Sequence, residues 1–392
     1  MLLSNWPVFT LEEIEAVATV LRSEKVNYWS GNEGKSFERE FAAWCGSRNA
    51  IAMANGSLAL SASYQAIGLG PGDELITTPR TFIATSSSAV LLKCIPVFAD
   101  VDRDSGAITS DTIAPLITKK TKAISVVHLA GWPADMPSIC SLASSHGIAV
   151  VEDCAQAHGA QIQVEGSWQS VGSFAEVSAW SFCQDKIMST GGEGGLVTTN
   201  SEELFENIWS YKDHGKTLEA VFAREHPQGF RWVHERFGSN FRLTELQSAI
   251  GRIQLRRMKE WNGLRTRNAL ILINALADCL AIRVPVPPAH LRHAWYKFHC
   301  FVRPDNLVPG WNRDRIAAEI SALGYPARQG SCSEIYLEKC FKESGLAPTK
   351  RLPVARELGE TSLMFLVHPT ITKEQMEGYA DAILSVLIRA AR

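Results

Sequence analysis

The chain has 392 residues, of which 46% are hydrophobic, and a formal net charge of −2. A globular chain of this length suggests two domains, and the absence of a basic tract argues against a nucleic-acid partner, which would need a clustered positive surface. The longest apolar stretches are strand-sized or broken by charge, and the N-terminus lacks the pattern of a signal peptide. We therefore expect no membrane span and a cytoplasmic location. The nine cysteines are scattered without a Cys-x-x-Cys pair, which predicts reduced thiols.

Short apolar runs recur through the first 250 residues or so, with amphipathic segments between them. Such runs, separated by helical stretches, predict a largely parallel sheet covered on both faces, which is an α/β architecture. The glycine-rich turn at 68–73 does not predict a nucleotide-binding loop, because its spacing is not Gly-x-Gly-x-x-Gly and it precedes a strand. The predicted strands are 50–53, 74–78, 95–99, 122–127, 148–152, 178–182 and 195–199.

The pattern changes after about residue 250. A long helical pattern is followed by Pro285, Pro287 and Pro288, which predict a stiff connection. A strand is predicted near 297–302, a helix near 313–323 and a final helix over 373–388. We therefore predict a large domain over residues 1–250 and a smaller α+β domain over residues 251–392.

Lys186 is the most informative residue, because it follows an apolar run and leads into the glycine-rich stretch 191–195. A lysine held among apolar neighbours can lose its proton and become nucleophilic, which suits an amine that forms a Schiff base. Upstream, a second apolar run ends on the carboxylate of Asp153. Pyridoxal 5'-phosphate (PLP) chemistry needs an acid paired with the protonated ring nitrogen. Lys186 and Asp153 are therefore the candidate catalytic residues of a PLP enzyme.

Several other residues have both a functional and a structural interpretation. Ser57 follows Gly56 at a predicted helix start, where a phosphate would be favoured, but a serine there is more often a plain N-cap. Ser181 could donate a hydroxyl to the same phosphate or be an ordinary strand serine. Phe82 could cover the face of the cofactor, although aromatic residues usually belong to the core. A polar loop before Thr244 has the pattern of a capped helix start.

The order of these segments resembles that of the sugar-nucleotide aminotransferases of the DegT/StrS type, which are fold-type I PLP enzymes. The resemblance covers nearly the whole chain. Its most specific parts are 152–159, 181–195 and 240–247. It implies a large domain with a mainly parallel seven-stranded sheet, a smaller α+β C-terminal domain, and a homodimer whose two active sites are shared between subunits.

The resemblance also implies a role for each cofactor-binding residue. Lys186 would form the Schiff base with PLP, and Asp153 would pair with the ring nitrogen. Phe82 would stack on the ring, where many relatives carry Trp, and Gln156 would lie near the ring hydroxyl. The residues expected at the phosphate are Gly56, Ser57, Ser181 and, from the neighbouring subunit, Asn240.

Candidate substrate contacts come from two considerations. A nucleoside diphosphate requires positive groups at the mouth of the site, and two segments of the small domain fall where relatives contact substrate. The candidates are Lys25, Arg242, His293, Arg328 and Tyr336. Surface solvation or core packing is the alternative for each. No metal is expected.

The implied reaction moves an amino group from L-glutamate onto a keto carbon of a nucleotide-linked sugar, in the synthesis of deoxyaminosugars for surface polysaccharides such as lipopolysaccharide O-antigen. Lysine at position 186 favours transamination over dehydration, because a dehydratase branch of the family has histidine there. The segment 189–195 predicts a 4-keto-6-deoxyhexose, with a UDP-linked N-acetylated sugar as first choice, whereas the loop length is more typical of 3-amino enzymes. A 3-keto sugar aminotransferase, a PLP-dependent sugar dehydratase and a non-catalytic PLP-binding regulator remain as alternatives.

Overall fold

A seven-stranded sheet forms the centre of the computed structural model, which describes residues 2–392. The strands of the chain are β1 (Asn49–Met53), β2 (Glu74–Thr77), β3 (Ile95–Phe98), β4 (Thr121–Val127), β5 (Ala149–Asp153), β6 (Gln161–Val164), β7 (Ser167–Ser170), β8 (Val177–Ser181), β9 (Gly195–Thr199), β10 (Ile282–Arg283), β11 (Leu291–Arg292), β12 (Phe298–Val302) and β13 (Ser362–Phe365). The α-helices are α1 (Leu11–Arg22), α2 (Glu33–Cys45), α3 (Gly56–Ala66), α4 (Ala84–Leu91), α5 (Ser110–Ile113), α6 (Met136–His146), α7 (Glu202–Lys212), α8 (Glu245–Leu276), α9 (Arg313–Ala322), α10 (Lys339–Glu343), α11 (Pro353–Thr361) and α12 (Lys373–Ala390).

The large sheet has the order β1-β9-β8-β5-β4-β2-β3. Neighbouring strands are parallel except where β9 pairs with β1 and β8. All seven predicted strands are present, each within one residue of its predicted ends. The prediction of a mainly parallel α/β sheet is therefore confirmed.

Both faces of this sheet are packed, and the alternating side chains of its strands belong to different cores. In β1, Ala50 and Ala52 belong to a core with α2, α6 and α8, whereas Ile51 and Met53 pack on the opposite face with α3, α4 and α7. Successive strand residues point to opposite faces, so a continuous apolar run is needed when both faces are packed. The short hydrophobic runs in the sequence follow from this arrangement.

A second unit is built around the small sheet β10-β12-β13 and the helices α9 and α12. The predicted boundary at residue 250 falls inside α8, a continuous 32-residue helix that begins at the predicted cap, Thr244. Leu255 of this helix packs in the core of the large sheet that contains Ala50, whereas Leu272 packs in a second core, which is that of the smaller unit. Leu3, near the N-terminus, also packs in the second core, so this packing unit includes a segment from each end of the chain.

One feature has no counterpart in the sequence-based prediction. The hairpin of β6 and β7, which follows β5 in the chain, forms a third sheet with β11. All nine cysteines lie within the described residues and each is unpaired, as predicted. Among residues 2–392, no helix combines the length and the apolar character needed to cross a bilayer.

Candidate active site

Three strand ends meet at one edge of the large sheet. Gly195, at the start of β9, pairs with two residues. On one side it pairs with Ser181 at the end of β8, and on the other with Met53 at the end of β1. Helix α3 begins at Gly56, close behind β1, so its N-terminus lies beside Ser181. The first N–H groups of a helix have no intrahelical acceptor, and the helix dipole favours an anion there. This corner has the chemistry of a phosphate site.

Close approach explains the glycines at this corner. A Cβ at Gly56 would lie 2.6 Å from Cβ of Ser181, and a Cβ at Gly195 would lie 2.3 Å from the carbonyl carbon of Asn55. The N-cap of α3 is Asn55, whose side-chain oxygen accepts a backbone N–H of the first turn at 2.9 Å. The predicted capping role of Ser57 is therefore wrong, because Asn55 already caps the helix; Ser57 is exposed within the first turn.

Asp153 lies at the end of β5, the strand that pairs in parallel with β8. Its side chain is buried, and it accepts hydrogen bonds from the Thr85 hydroxyl at 2.7 Å and from the Ala155 backbone N–H at 3.2 Å. Burial raises the pKa of Asp153, whereas these hydrogen bonds and the positive charge of Lys186 act in the opposite direction. A buried carboxylate of this kind suits a cationic ring nitrogen, which would favour its charged form. No local pattern in the sequence indicates this role for Thr85, which lies 68 positions from Asp153.

The neighbouring residue, Glu152, points to the other face of β5. It is fully buried and forms a 3.0 Å contact with Nε2 of His128, and it accepts the backbone N–H groups of Gly172 and Ala175. Burial would raise the pKa of Glu152, but these partners lower it. With Cys154, this pair is close enough to hold a metal ion. Because both oxygens of Glu152 already accept hydrogen bonds, we interpret the group as a network that fixes the end of β5.

Lys186 lies in the loop after β8. Its backbone carbonyl accepts a 2.8 Å hydrogen bond from Nε1 of Trp6, and its Nζ lies 5.1 Å from the ring centre of Tyr296. The Tyr296 hydroxyl donates to Oδ2 of Asp185, the residue before the lysine. The N-terminal segment and the segment just before β12 therefore both contact the lysine loop. Neither Trp6 nor Tyr296 has a local sequence pattern that would indicate this role.

Two more predicted cofactor residues lie at the same edge. Phe82 is 66% exposed, so the alternative of a core residue is excluded for this chain. Gln156 is buried, and its side-chain oxygen accepts the backbone N–H of Ala130 at 2.7 Å. Phe82 thus leaves an aromatic face available to a flat ligand, while Gln156 is held by the loop after β4.

The segment before α8 lies beside β1. The carbonyl of Phe241 accepts the N–H of Ala54 at 2.8 Å, and the side chain of Asn240 is exposed. Arg242 donates to Oδ1 of the buried Asp213 at 2.6 Å, so its charge is already paired within the chain. Asn240 is therefore available to a partner subunit, whereas Arg242 has a structural partner.

The remaining predicted substrate residues differ in exposure and in the elements that carry them. Lys25 and Arg328 are exposed, on a turn after α1 and on the strand-like segment beside β13. His293 stacks on Trp295 with ring centres 3.9 Å apart, and burial lowers its pKa to about 3. Tyr336 is buried and its hydroxyl donates to Glu334 at 2.6 Å. For Tyr336 the structure favours the packing alternative.

These features fit a PLP cofactor: a cradle that a Cβ would fill, a buried carboxylate without a cationic partner in direct contact, and a nearby lysine. In combination with the sheet order, they define an enzyme of PLP fold type I. The chain belongs to the DegT/DnrJ/EryC1/StrS aminotransferase family, whose model matches residues 8–384. It is an aminotransferase that uses PLP.

Comparison with known proteins supports this assignment over the full chain. The structure is similar to that of the aminotransferase from Psychrobacter cryohalolentis, with 52% identity and a TM-score of 0.96 over 99% of each chain. The sequence is 34% identical over 358 residues to UDP-N-acetyl-3-dehydro-alpha-D-glucosamine 3-aminotransferase of Acidithiobacillus ferrooxidans, which covers 91% of this chain and 89% of that protein. It is 31% identical over 369 residues to dTDP-3-amino-3,4,6-trideoxy-alpha-D-glucose transaminase of Streptomyces venezuelae, covering 94% and 90%.

Proposed function

We propose that this enzyme transfers an amino group from L-glutamate to the ketone of a nucleotide-linked sugar. The observation that carries the proposal is the pair formed by Lys186 and the buried Asp153 at one edge of the sheet. The names of two relatives, both of which act on nucleotide-linked sugars, support the substrate class. A role in making aminosugars for surface polysaccharides remains a prediction.

Each residue has a defined task in this proposal. PLP, when bound, supplies an electron sink that stabilises negative charge at the carbon next to the transferred nitrogen. Asp153 would hold a positive charge on the ring nitrogen, and Thr85 favours the ionised form of Asp153 by donating to it. Lys186 binds the cofactor in the resting enzyme, and its Nζ then moves the proton at the reacting carbon. Ser57 and Ser181 hold the phosphate.

The sugar carbon that receives the amine is the main open choice within this proposal. The sequence of the 189–195 segment predicts a 4-keto sugar, whereas the two named relatives form 3-amino sugars. Because those relatives match the chain over more than nine-tenths of its length, we take the 3-keto sugar as the first substrate to test and the 4-keto sugar as the second.

The test is turnover of a panel of 3-keto and 4-keto sugars linked to UDP or dTDP, with glutamate as donor. Product mass and NMR assign the aminated carbon. We expect ping-pong kinetics and one aminated isomer. Absence of amination of every ketosugar, with a holoenzyme that still converts glutamate to 2-oxoglutarate, would direct the search to a different ketone.

We further propose that the active site is shared between two subunits. Asn240 is exposed in the single chain, and exposed aromatic residues precede it at Phe222, Phe230, Trp232 and Phe237. Solvent-exposed aromatic groups in one segment are typical of a surface that a partner covers. A second copy of this chain is the partner that the proposal requires.

Subunit mixing tests the shared site. Lys186→Ala chains and Asn240→Ala chains should each have low activity alone, and their heterodimers should contain one intact site and regain part of it. A mixture that stays inactive after demonstrated subunit exchange, with both parents severely impaired, would place Asn240 in the site of its own chain or outside any site.

A further inference from the structure

A narrow cavity lies between the loops after β2 and β4 and strand β12. Its volume is about 20 Å³, and its lining includes Arg80, Lys297 and His299 together with Ala130 and Trp295. A cavity of this size admits one small group of water-sized atoms and excludes a sugar or a nucleotide. The side chains that supply hydrogen-bond donors to it come from both packing units.

Arg80 has more donors than partners. Its side chain is fully buried, and Nη1 donates to Oγ of Ser333 at 2.7 Å, whereas Nε and Nη2 have no hydrogen-bond partner in residues 2–392. The guanidinium also lies 5.8 Å from the ring centre of Phe301. A buried charge with unsatisfied donors is costly unless an anion completes it. Burial lowers the pKa of Arg80 to about 10, which leaves it charged at neutral pH.

Lys297 adds a second cation to the lining of the cavity. It is half-buried and forms no ion pair within the described residues, although the nearby carboxylate of Asp185, which accepts the hydroxyl of Tyr296, raises its pKa in opposition to burial. Burial lowers the pKa of Lys297 to about 8. His299 lies within electrostatic range of both cations, and its Nε2 is also buried without a partner.

The position of Lys297 connects this cavity to the reaction. Its Nζ lies 4.6 Å from the ring centre of Tyr296, and Nζ of Lys186 lies 5.1 Å from the same centre. The two amino groups are therefore at most 9.7 Å apart, the sum of these distances. A dicarboxylic amino acid that reacts at Lys186 carries its carboxylates only a few bonds from its nitrogen. Lys186 and Lys297 lie over the same tyrosine ring, which places Lys297 in the neighbourhood of a substrate bound at Lys186.

The charge of the lining leaves the cavity positive. Its acidic residue, Asp104, is paired with Arg283 and does not neutralise Arg80 or Lys297. Two cations and an unsatisfied imidazole nitrogen in a small enclosed space suit a planar anion with two oxygen atoms. A phosphate or diphosphate is less suited to a cavity of this volume.

We propose that Lys297, Arg80 and His299 form a subsite for a carboxylate of a substrate. This inference rests on the proposed function, and two sources supply the same chemistry: the amino donor, if it is dicarboxylic, or a ketosugar that carries a carboxylate at its terminal carbon. In both cases the bound carboxylate satisfies the donors of Arg80 and pairs with Lys297.

The test measures binding of non-reacting probes to the holoenzyme by calorimetry. One pair of probes is glutarate and pentanoate, which differ by one carboxylate. The other pair is UDP-glucuronate and UDP-glucose. The variants are Lys297→Met and, as a matched control, Lys339→Met on the exposed surface of α10. We expect the wild type and the control to prefer the carboxylate-bearing probe in one pair, and Lys297→Met to lose roughly ten- to a hundredfold of that affinity.

Each outcome decides the inference. Preference within the glutarate pair assigns the subsite to the donor, and preference within the nucleotide pair assigns it to the sugar. The proposed subsite is wrong if the wild type prefers neither carboxylate-bearing probe. It is also wrong if Lys297→Met retains the preference that the wild type shows. The proposed function is judged separately, because amination of ketosugars by the wild type does not depend on these probes.

Arg80→Met gives a second readout that a purely structural role would not produce. Removal of an unpaired buried charge should leave the thermal midpoint of the ligand-free protein equal or higher, while glutarate or UDP-glucuronate binding weakens. A lower midpoint with unchanged probe affinity would assign Arg80 to the fold and remove it from the subsite.

Discussion

Thr85 donates a 2.7 Å hydrogen bond to Oδ2 of Asp153, and both side chains are buried at the carboxyl edge of the sheet. Thr85 lies in the first turn of α4, whereas Asp153 ends β5, so the bond joins a helix start to a strand end. The hydroxyl favours the charged form of the carboxylate, in opposition to burial. The ionisation of Asp153 therefore depends in part on Thr85, which the sequence analysis did not identify as a site residue.

We expect Thr85→Val to lower kcat by about tenfold, because a hydrogen bond to a charged group contributes about 1.5–3 kcal/mol and its loss raises the pKa of Asp153. Thr85→Ser, which keeps the hydroxyl, is the matched control and should retain most of the activity. The pH profile of kcat in the valine variant should shift to higher pH on its acidic side. An unchanged pH profile of kcat in Thr85→Val would show that Thr85 does not influence the ionisation of Asp153 during turnover.

Phe82→Ala should leave the stability of the cofactor-free protein nearly unchanged, because the ring is 66% exposed and its removal opens no core cavity. PLP affinity should fall, and Phe82→Trp should restore it by offering a larger ring face. Phe98→Ala is the contrasting variant, because Phe98 is buried and its truncation should cost about 3–5 kcal/mol. Thermal midpoints of the apoproteins and PLP titration provide the two measurements.

Gly56→Ala should weaken PLP binding strongly, because the added Cβ would lie 2.6 Å from Cβ of Ser181 and force the phosphate corner apart. Gly263→Ala in α8 is the control, since a Cβ there meets no atom within 4 Å and should stabilise the helix by about 0.5–1 kcal/mol. Adding Ser181→Gly to Gly56→Ala should relieve part of the clash. Equal PLP affinity in wild type and Gly56→Ala would contradict the close packing of this corner.

Lys186→Ala should abolish the visible absorbance of lysine-bound PLP and lower turnover by a factor of about 10⁴ or more. The half-buried side chain makes only limited packing contacts, so the thermal midpoint of the apoprotein should stay within a few degrees of the wild type. Absorbance spectroscopy and differential scanning calorimetry measure the two effects. Retained turnover would assign the amine to another lysine.

The sequence predicts the sheet well and the supporting contacts poorly, for a physical reason. Strands such as β5 and β8 are buried on both faces, so their hydrophobic runs and the residues at their ends, Asp153 and Ser181, are visible locally. Thr85 and Trp6 act through contacts with residues 68 and 180 positions away, and nothing in their own neighbourhood indicates a partner. Contacts between residues so far apart in the chain exist only once the fold has brought them together, so a local sequence pattern does not predict them.

The cap of α3 shows a different limit. Asn55, Gly56 and Ser57 are consecutive, and both Asn and Ser are good N-caps, so the sequence alone does not decide between them. The choice follows from backbone geometry: Asn55 has the extended conformation of a cap, and α3 begins at the next residue. With Asn55 as the cap, Ser57 has no capping role, and its hydroxyl is exposed beside the proposed phosphate site.

Buried neutral histidines should make the fold sensitive to acid. His158 is enclosed by Trp180 and Phe182, with ring centres 5.2 and 5.5 Å away, and neither of its nitrogens has a hydrogen-bond partner among residues 2–392. Burial lowers the pKa of His158 to about 3, and the same cause lowers the pKa of His368 to about 3. Below the unfolded-state pKa of about 6.5, the unfolded chain binds a proton that the folded chain does not bind.

The stability contributed by neutral His158 is therefore present above pH 6.5 or so and is lost as the pH falls towards 3, by at most about 1.4 kcal/mol per pH unit. His158→Leu should give a thermal midpoint that falls less steeply between pH 6.5 and 4 than that of the wild type, whatever its value at neutral pH. His146→Leu, at an exposed position, should keep the wild-type slope. Identical slopes in His158→Leu and the wild type would mean that His158 acquires its proton without unfolding, through an opening that admits water to the Trp180 and Phe182 cage.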